Sequence, residues 1–269
     1  MYLADFHTHS RISPDASCSM AEMALAAADK GLREICFTDH LEPVNWYTQV
    51  PRDPFDWQGL LAEYRAAQEA AGDRIRIRLG VELGDAPRDT AHIETLMSDA
   101  PELDFVIGSE HMLSADYGWI DLSQFEPAGE AEARAGIADY LALVAQMARW
   151  GRFSVLGHLT LPLRYLNERR GFHLTFDGFE AEVEDILRTL IQNGCGIEVN
   201  TNRGHEPLPG EKWLKMYRRL GGEIVTLGSD AHTTRDVGCA MRERQALLRE
   251  CGFTRYCTFE KMRPVWHAL

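Results

Sequence analysis

Seven short apolar segments punctuate the chain, at 1–9, 34–40, 75–82, 105–111, 154–158, 196–200 and 223–232. All but the sixth close on a histidine, aspartate or glutamate. Stretches of helical periodicity separate them, at 20–30, 57–71, 90–100, 129–150, 178–193 and 209–220, with one more at 237–251. Strands that alternate with helices predict a parallel sheet covered by those helices, because parallel neighbours need a crossover connection. An open sheet gathers its functional groups at one switch point, whereas here polar residues stand at the ends of nearly every strand. The pattern therefore predicts an α/β protein with a closed barrel. No Pro/Ser/Gly-rich linker interrupts it, which predicts a single domain over 1–269, and 45% apolar residues supply the core.

Local signals refine the elements. Ser19 and Glu22 form a capping-box pattern ahead of the first helix, and Gly31 stops it. Asp177 reads as the N-cap of the 178–193 helix, and the residues after 251 read as a short tail. The 41–56 connection carries three prolines and three aromatics and is long for a structureless link, so a lid or substrate-facing loop is expected there.

The strand ends carry the chemistry. Residues two apart in an extended segment face the same way, so His7 and His9 project together, with Asp15 in the turn beyond. His40, Glu82, His111, His158, Asp230 and His232 end the later strands. Taken singly, each has a structural explanation: a strand-end histidine often only satisfies a hydrogen bond, His40 can pair with Asp39, and Asp230 can cap a helix. Taken together they form a metal-ligand set. Imidazole and carboxylate without thiolate suit Zn, Mn or Fe, and nine such groups suffice for two to three divalent ions. Glu82 follows an apolar approach, so its charge needs a compensating cation and makes it the candidate bridge. His92, His173, His205 and His267 fall on helices, loops or the tail, and Glu110 should face away from His111 by strand alternation.

A multinuclear centre of this kind favours hydrolysis of a phosphate ester. Arg164 and Arg203, which follow the fifth and sixth strands, are candidates for holding the phosphate. The formal charge of −13 argues against a nucleic-acid partner held by a broad basic surface and leaves a small-molecule ester as the expected partner. There is no apolar run long enough for a membrane span and no signal-peptide pattern. The six cysteines show no C-x-x-C pair, so a reduced, cytoplasmic protein is expected, with its oligomeric state open.

The ordered motifs resemble the polymerase and histidinol phosphatase (PHP) family. They are Asp5-Phe-His-Thr-His9-Ser10, Ser13-Pro-Asp15, Phe37-Thr-Asp-His40, Gly80-Val-Glu82, Gly108-Ser-Glu-His111, Gly157-His158-Leu159 and Gly228-Ser-Asp-Ala-His232. The resemblance implies a distorted seven-stranded (β/α)7 barrel with a trinuclear centre. By it, His7, His9, Glu82 and Asp230 would hold one ion, Glu82, His111 and His158 a second, and Asp15, His40 and His232 a third. Glu82, Asp230 and His232 would then act in catalysis. The run from Glu198 to Thr201, Glu206-Pro207 and the 221–232 segment are similar to the monofunctional histidinol-phosphatases, which implies hydrolysis of L-histidinol phosphate. Glu206 and the Trp46-Tyr47 pair are then candidate contacts for the cationic alcohol. The chain departs from that pattern at Thr160, where an aspartate is usual, and in its short 202–205 loop. A phosphodiesterase or phosphatase acting on a nucleotide or another small ester, and a metal-bound non-catalytic module, are the alternatives.

Overall fold

Seven strands pair in parallel in chain order: β1 (Ala4–Thr8), β2 (Glu34–Leu41), β3 (Arg76–Gly84), β4 (Phe105–Ser109), β5 (Val155–Leu156), β6 (Gly196–Asn200) and β7 (Val225–Gly228). The computed structural model describes residues 1–45, 48–51 and 54–269. Most strand residues are buried, as their apolar runs require of a sheet enclosed on both faces. Past the last paired residues, β1 meets the end of β7. The His9 N–H donates to the Ala231 carbonyl at 2.9 Å, and the Asp230 N–H to the His7 carbonyl at 2.8 Å. The sheet thereby becomes a nearly closed barrel.

Among the described residues, seven α-helices connect and cover the strands: α1 (Met20–Asp29), α2 (Trp57–Ala71), α3 (Thr90–Met97), α4 (Glu130–Trp150), α5 (Glu180–Gln192), α6 (Glu211–Arg219) and α7 (Met241–Glu250). The Ser19–Glu22 capping box forms at the start of α1. Two expected starts move. Asp177 does not cap α5, which begins after Phe179; its carboxylate instead takes Lys212 Nζ at 2.5 Å. The last helix begins at Met241 rather than 237, because Gly238 (φ 71°) and Ala240 (φ 56°) adopt left-handed backbone. The preceding turn is tied to α1 by Lys30 Nζ, which donates to the carbonyls of Thr234, Arg235 and Val237 at 2.6–3.0 Å.

The expected tail is in fact a hairpin, β8 (Arg255–Glu260) and β9 (Arg263–Ala268). It closes the barrel at the end where the strands begin. Cys257 and Phe259 enter a cluster with Ala4, Phe6, Cys36, Phe105, Ile107 and Val155, and the Phe105 and Phe259 rings lie 5.0 Å apart. Lys261 and Met262 donate backbone N–H groups to Asp104, at the entrance to β4. The packing is specific enough to measure. Phe259→Ala should cost about 3–5 kcal/mol of unfolding free energy. A loss below about 1 kcal/mol in denaturant titration would mean that the hairpin is peripheral.

Candidate metal centre

The opposite end of the barrel collects the ligand-type side chains, each delivered by the C-terminal part of a strand or by the segment that follows it. Glu82 stands at the middle, buried on β3. Its Oε2 lies 3.3 Å from His7 Nε2, 3.5 Å from His9 Nε2 and 3.1 Å from His40 Nδ1. Its Oε1 lies 3.0 Å from His158 Nε2 and 3.3 Å from His111 Nε2. Asp230 Oδ1 approaches His7 Nε2 and His9 Nε2 at 3.7 and 3.4 Å. Asp15 Oδ2 approaches His232 Nε2 at 3.0 Å and His40 Nε2 at 3.7 Å. The structure thus brings together all nine side chains that the sequence singled out.

These spacings fit coordination. Two ligands on one tetrahedral ion at 2.0–2.2 Å stand roughly 3.4 Å apart. Four triads have donor atoms within 4.8 Å of one another: His9, His40 and His232; His7, His9 and Asp230; His7, Glu82 and His158; and His40, Glu82 and His111. His7 Nε2, His9 Nε2 and Glu82 Oε2 are buried and make no hydrogen bond among the described residues. Such groups cost about 1–3 kcal/mol each unless something else satisfies them. Bound cations would satisfy them, and the residues present fit that role.

The protein part alone is electrostatically tense. Burial opposes a charge on His7, but Glu198, Glu82 and Asp230 outweigh it and lift its pKa well above the usual imidazole range. His40 is lifted likewise by Glu42 and Glu82 against burial, and His111 to about 9 by Glu82 and Asp85. Burial, reinforced by His232 and His40, pushes His9 well below that range. Burial disfavours the Glu82 and Asp230 carboxylates, yet facing imidazoles hold both well below the carboxylate range, with Arg164 contributing at Asp230. A cation entering the centre must therefore displace protons from His7, His40 and His111. Metal affinity should rise as pH is raised towards about 9, and each displaced proton should weaken it about tenfold per pH unit below the governing pKa. Chelator competition between roughly pH 6 and 9 tests this; a flat profile would contradict it.

An outer layer of contacts fixes the imidazoles, and the sequence reading largely missed it. Glu198 Oε1 lies 2.7 Å from His7 Nδ1, while its Oε2 accepts the His158 N–H at 2.9 Å. With Nδ1–H given to Glu198, His7 presents its Nε2 lone pair to the centre. The available signal was an acid inside an apolar strand, the same signal that marked Glu82. Glu42 Oε1 lies 3.0 Å from His40 Nδ1. Asp39 organises the 10–13 turn rather than pairing with His40, taking the Ser10 and Ser13 hydroxyls at 2.8 and 2.7 Å. Ser13 Oγ in turn meets His9 Nδ1 at 3.1 Å. Glu110 is buried beside Asp85, which accepts the His111 N–H at 2.8 Å.

A cavity of about 330 Å³ opens over the centre. Arg164 and Arg203 both line it, joined by Arg169, which sequence reasoning did not single out. Arg164 and Arg169 bound a π-helical turn, a distortion common at functional sites. The Arg164 guanidinium is fixed by Asp230 Oδ2 at 2.7 Å, Asn200 Oδ1 at 2.8 Å and Asn202 Oδ1 at 2.8 Å. Glu206 lines a neighbouring cavity instead. Trp46 and Tyr47 lie outside the described residues, as do Arg52 and Asp53 of the same expected lid.

Comparison with known proteins adds four findings. A family model described as "PHP domain" matches residues 5–202. A probable histidinol-phosphatase of Deinococcus radiodurans is 32% identical over 97% of this chain and 99% of its own. A Lactococcus lactis histidinol-phosphatase is 26% identical over 96% and 95%. Among solved structures, a Lactococcus lactis histidinol phosphate phosphatase complexed with Zn, L-histidinol and phosphate superposes with a TM-score of 0.79. It covers 98% of both chains at 24% identity.

Proposed function

The chain belongs to the PHP domain family, and from that premise we propose that it is a metal-dependent phosphomonoesterase that hydrolyses L-histidinol phosphate to L-histidinol and phosphate. One observation carries the reading: nine imidazole and carboxylate side chains converge at one end of the barrel, six of them lining the cavity there, with buried donor atoms left for cations. The 32%-identical relative, a probable histidinol-phosphatase, supports the substrate.

In this reading His7, His9, Glu82 and Asp230 hold one ion, Glu82, His111 and His158 a second, and Asp15, His40 and His232 a third. Zn, Mn or Fe suits these donors. Bound ions supply Lewis acidity towards the phosphoryl group and lower the pKa of water. The chain's own groups do the rest. Glu198 and Ser13 hold the His7 and His9 rings in place. Arg203 and Arg169, with Arg164 fixed behind them, orient the phosphate oxygens from the cavity wall. Asp230, held ionised by its imidazole neighbours and Arg164, is a poor proton donor. The proton for the leaving alkoxide comes from a water in the cavity or from His232, the most open of these imidazoles at 20% exposure, for which metal binding is the competing role.

Elemental analysis of gently purified protein should find two to three transition ions per chain; a stoichiometry below one that reconstitution cannot raise would overturn the multinuclear reading. The substrate is tested by comparing kcat/KM for histidinol phosphate, p-nitrophenyl phosphate and a nucleotide diester after metal reconstitution. Histidinol phosphate should lead. A roughly tenfold preference for the diester, about 1.4 kcal/mol of transition-state discrimination, would replace this reading with a phosphodiesterase.

A further inference from the structure

Asp5 is buried on β1, two residues before His7, and no cation pairs with it among the described residues. Its carboxylate accepts four hydrogen bonds instead. Oδ1 takes the Ser229 N–H at 2.9 Å and, more loosely, the His7 N–H at 3.4 Å. Oδ2 takes the Ser229 hydroxyl at 2.5 Å and the Gly238 N–H at 2.8 Å. Burying a carboxylate is costly, and hydrogen bonds to a charged acceptor are the strong ones that offset it. Three of the four donors lie across the join, on the segment that follows β7.

That segment is conformationally unusual. Asp230 has φ 57° and Gly238 φ 71°. Glycine adopts left-handed backbone freely, whereas a residue with a side chain does so at a cost and needs its surroundings to hold it there. Asp230 is held on one side by its own N–H, which donates to the His7 carbonyl at 2.8 Å, and on the other by the grip of Asp5 on Ser229. His158, the other of the nine ligand-type residues with positive φ (21°), is held in a similar way, its N–H donating to Glu198 Oε2 at 2.9 Å.

We propose that Asp5 is a positioning residue for the metal centre: by fixing Ser229 and Gly238 it keeps Asp230 in its left-handed turn, with the carboxylate facing His7 and His9. The role requires a charged acceptor on both sides. In an asparagine one of the two positions becomes an NH2 group, which would face the Ser229 N–H or the Gly238 N–H whichever way the amide is turned. The consequence for metal binding rests on the metal-centre reading above; the hold on Asp230 does not.

Asp5→Asn tests both parts in the full-length protein as purified. Amide exchange at Ser229, Asp230 and Gly238 should quicken at least about tenfold, and chelator competition should show metal held about 10–100-fold more weakly. Phe259→Ala, which loosens the opposite end of the barrel, should leave metal affinity within about twofold. Ser229→Ala removes one of the four donors and should weaken metal binding about threefold or more; it decides the matter if Asp5→Asn does not accumulate as folded protein. Unchanged exchange at Asp230, wild-type metal affinity in the Asp5 or Ser229 variant, or equal weakening by Phe259→Ala would each overturn the proposal. A wild-type protein that cannot be loaded with metal would overturn the metal-centre reading instead, and the exchange comparison would still decide the hold on Asp230.

Discussion

Glu82→Gln should leave the barrel folded and reduce hydrolysis of histidinol phosphate by at least about a thousandfold, near 4 kcal/mol of transition-state stabilisation. The reason is position. One oxygen of Glu82 faces His7, His9 and His40 and the other faces His111 and His158, so a single carboxylate belongs to two donor sets. Glutamine keeps the shape but has no charge and only one oxygen acceptor. Two neighbouring cations would then lose their common neutralising group, and metal content should fall with activity. His92→Ala, on α3 outside the centre, is the control and should stay close to wild type. If the two variants retained similar activity, the ligand assignment would be wrong.

Gly228→Ala should be nearly as damaging, although the glycine bears no functional group. A Cβ at 228 would run into Glu198 Oε1 and His7 Cβ, both packed against the end of β7. The His7 Cβ is anchored to its own strand and has little freedom to yield, so a cost of about 1–3 kcal/mol in stability is expected. The functional cost should be larger, because the displaced groups are the His7 ring and the carboxylate that orients it. Glu198→Gln isolates the second part: it keeps the volume and should weaken metal binding about 10–100-fold. Chelator competition on both variants measures the effect. Wild-type metal affinity in Glu198→Gln would reduce Glu198 to a packing residue.

The sequence disclosed the barrel and its ligand-bearing end because both follow from short-range rules. Strand and helix periodicity sets the alternation, and strand alternation sets which residues reach the mouth. Glu82 was legible because an acid closing an apolar strand has no inexpensive explanation. The C-terminal hairpin was not legible. Its two strands carry scattered polar residues, and their value lies in Phe259 and Cys257 meeting Phe105 and Phe6 from distant parts of the chain. Asp177 illustrates the converse: its local cap signal was genuine, but Lys212, thirty-five residues away, took the carboxylate. Arg164 needed the fold as well. Only the folded chain shows its guanidinium fixed by Asp230, Asn200 and Asn202 rather than left free for an anion.

The join between β1 and β7 links parts of the chain more than two hundred positions apart, as the 224-residue separation of Asp5 and Ser229 records. Contacts of such high sequence separation form late and slowly, because the loop entropy is lost before the contact returns anything. His7 and His9 lie on one side of that join, Asp230 and His232 on the other. During synthesis the donors emerge piecemeal, and no N-terminal fragment holds both halves of the set. Capture of the two ions whose ligand sets span the join would thereby be deferred until the barrel has closed, and ions bound there would tie the beginning of the chain to its end. Loss of metal from a mature molecule should accordingly register first as loosening along this one join, visible as amide exchange at His9 and Asp230 before the helices respond.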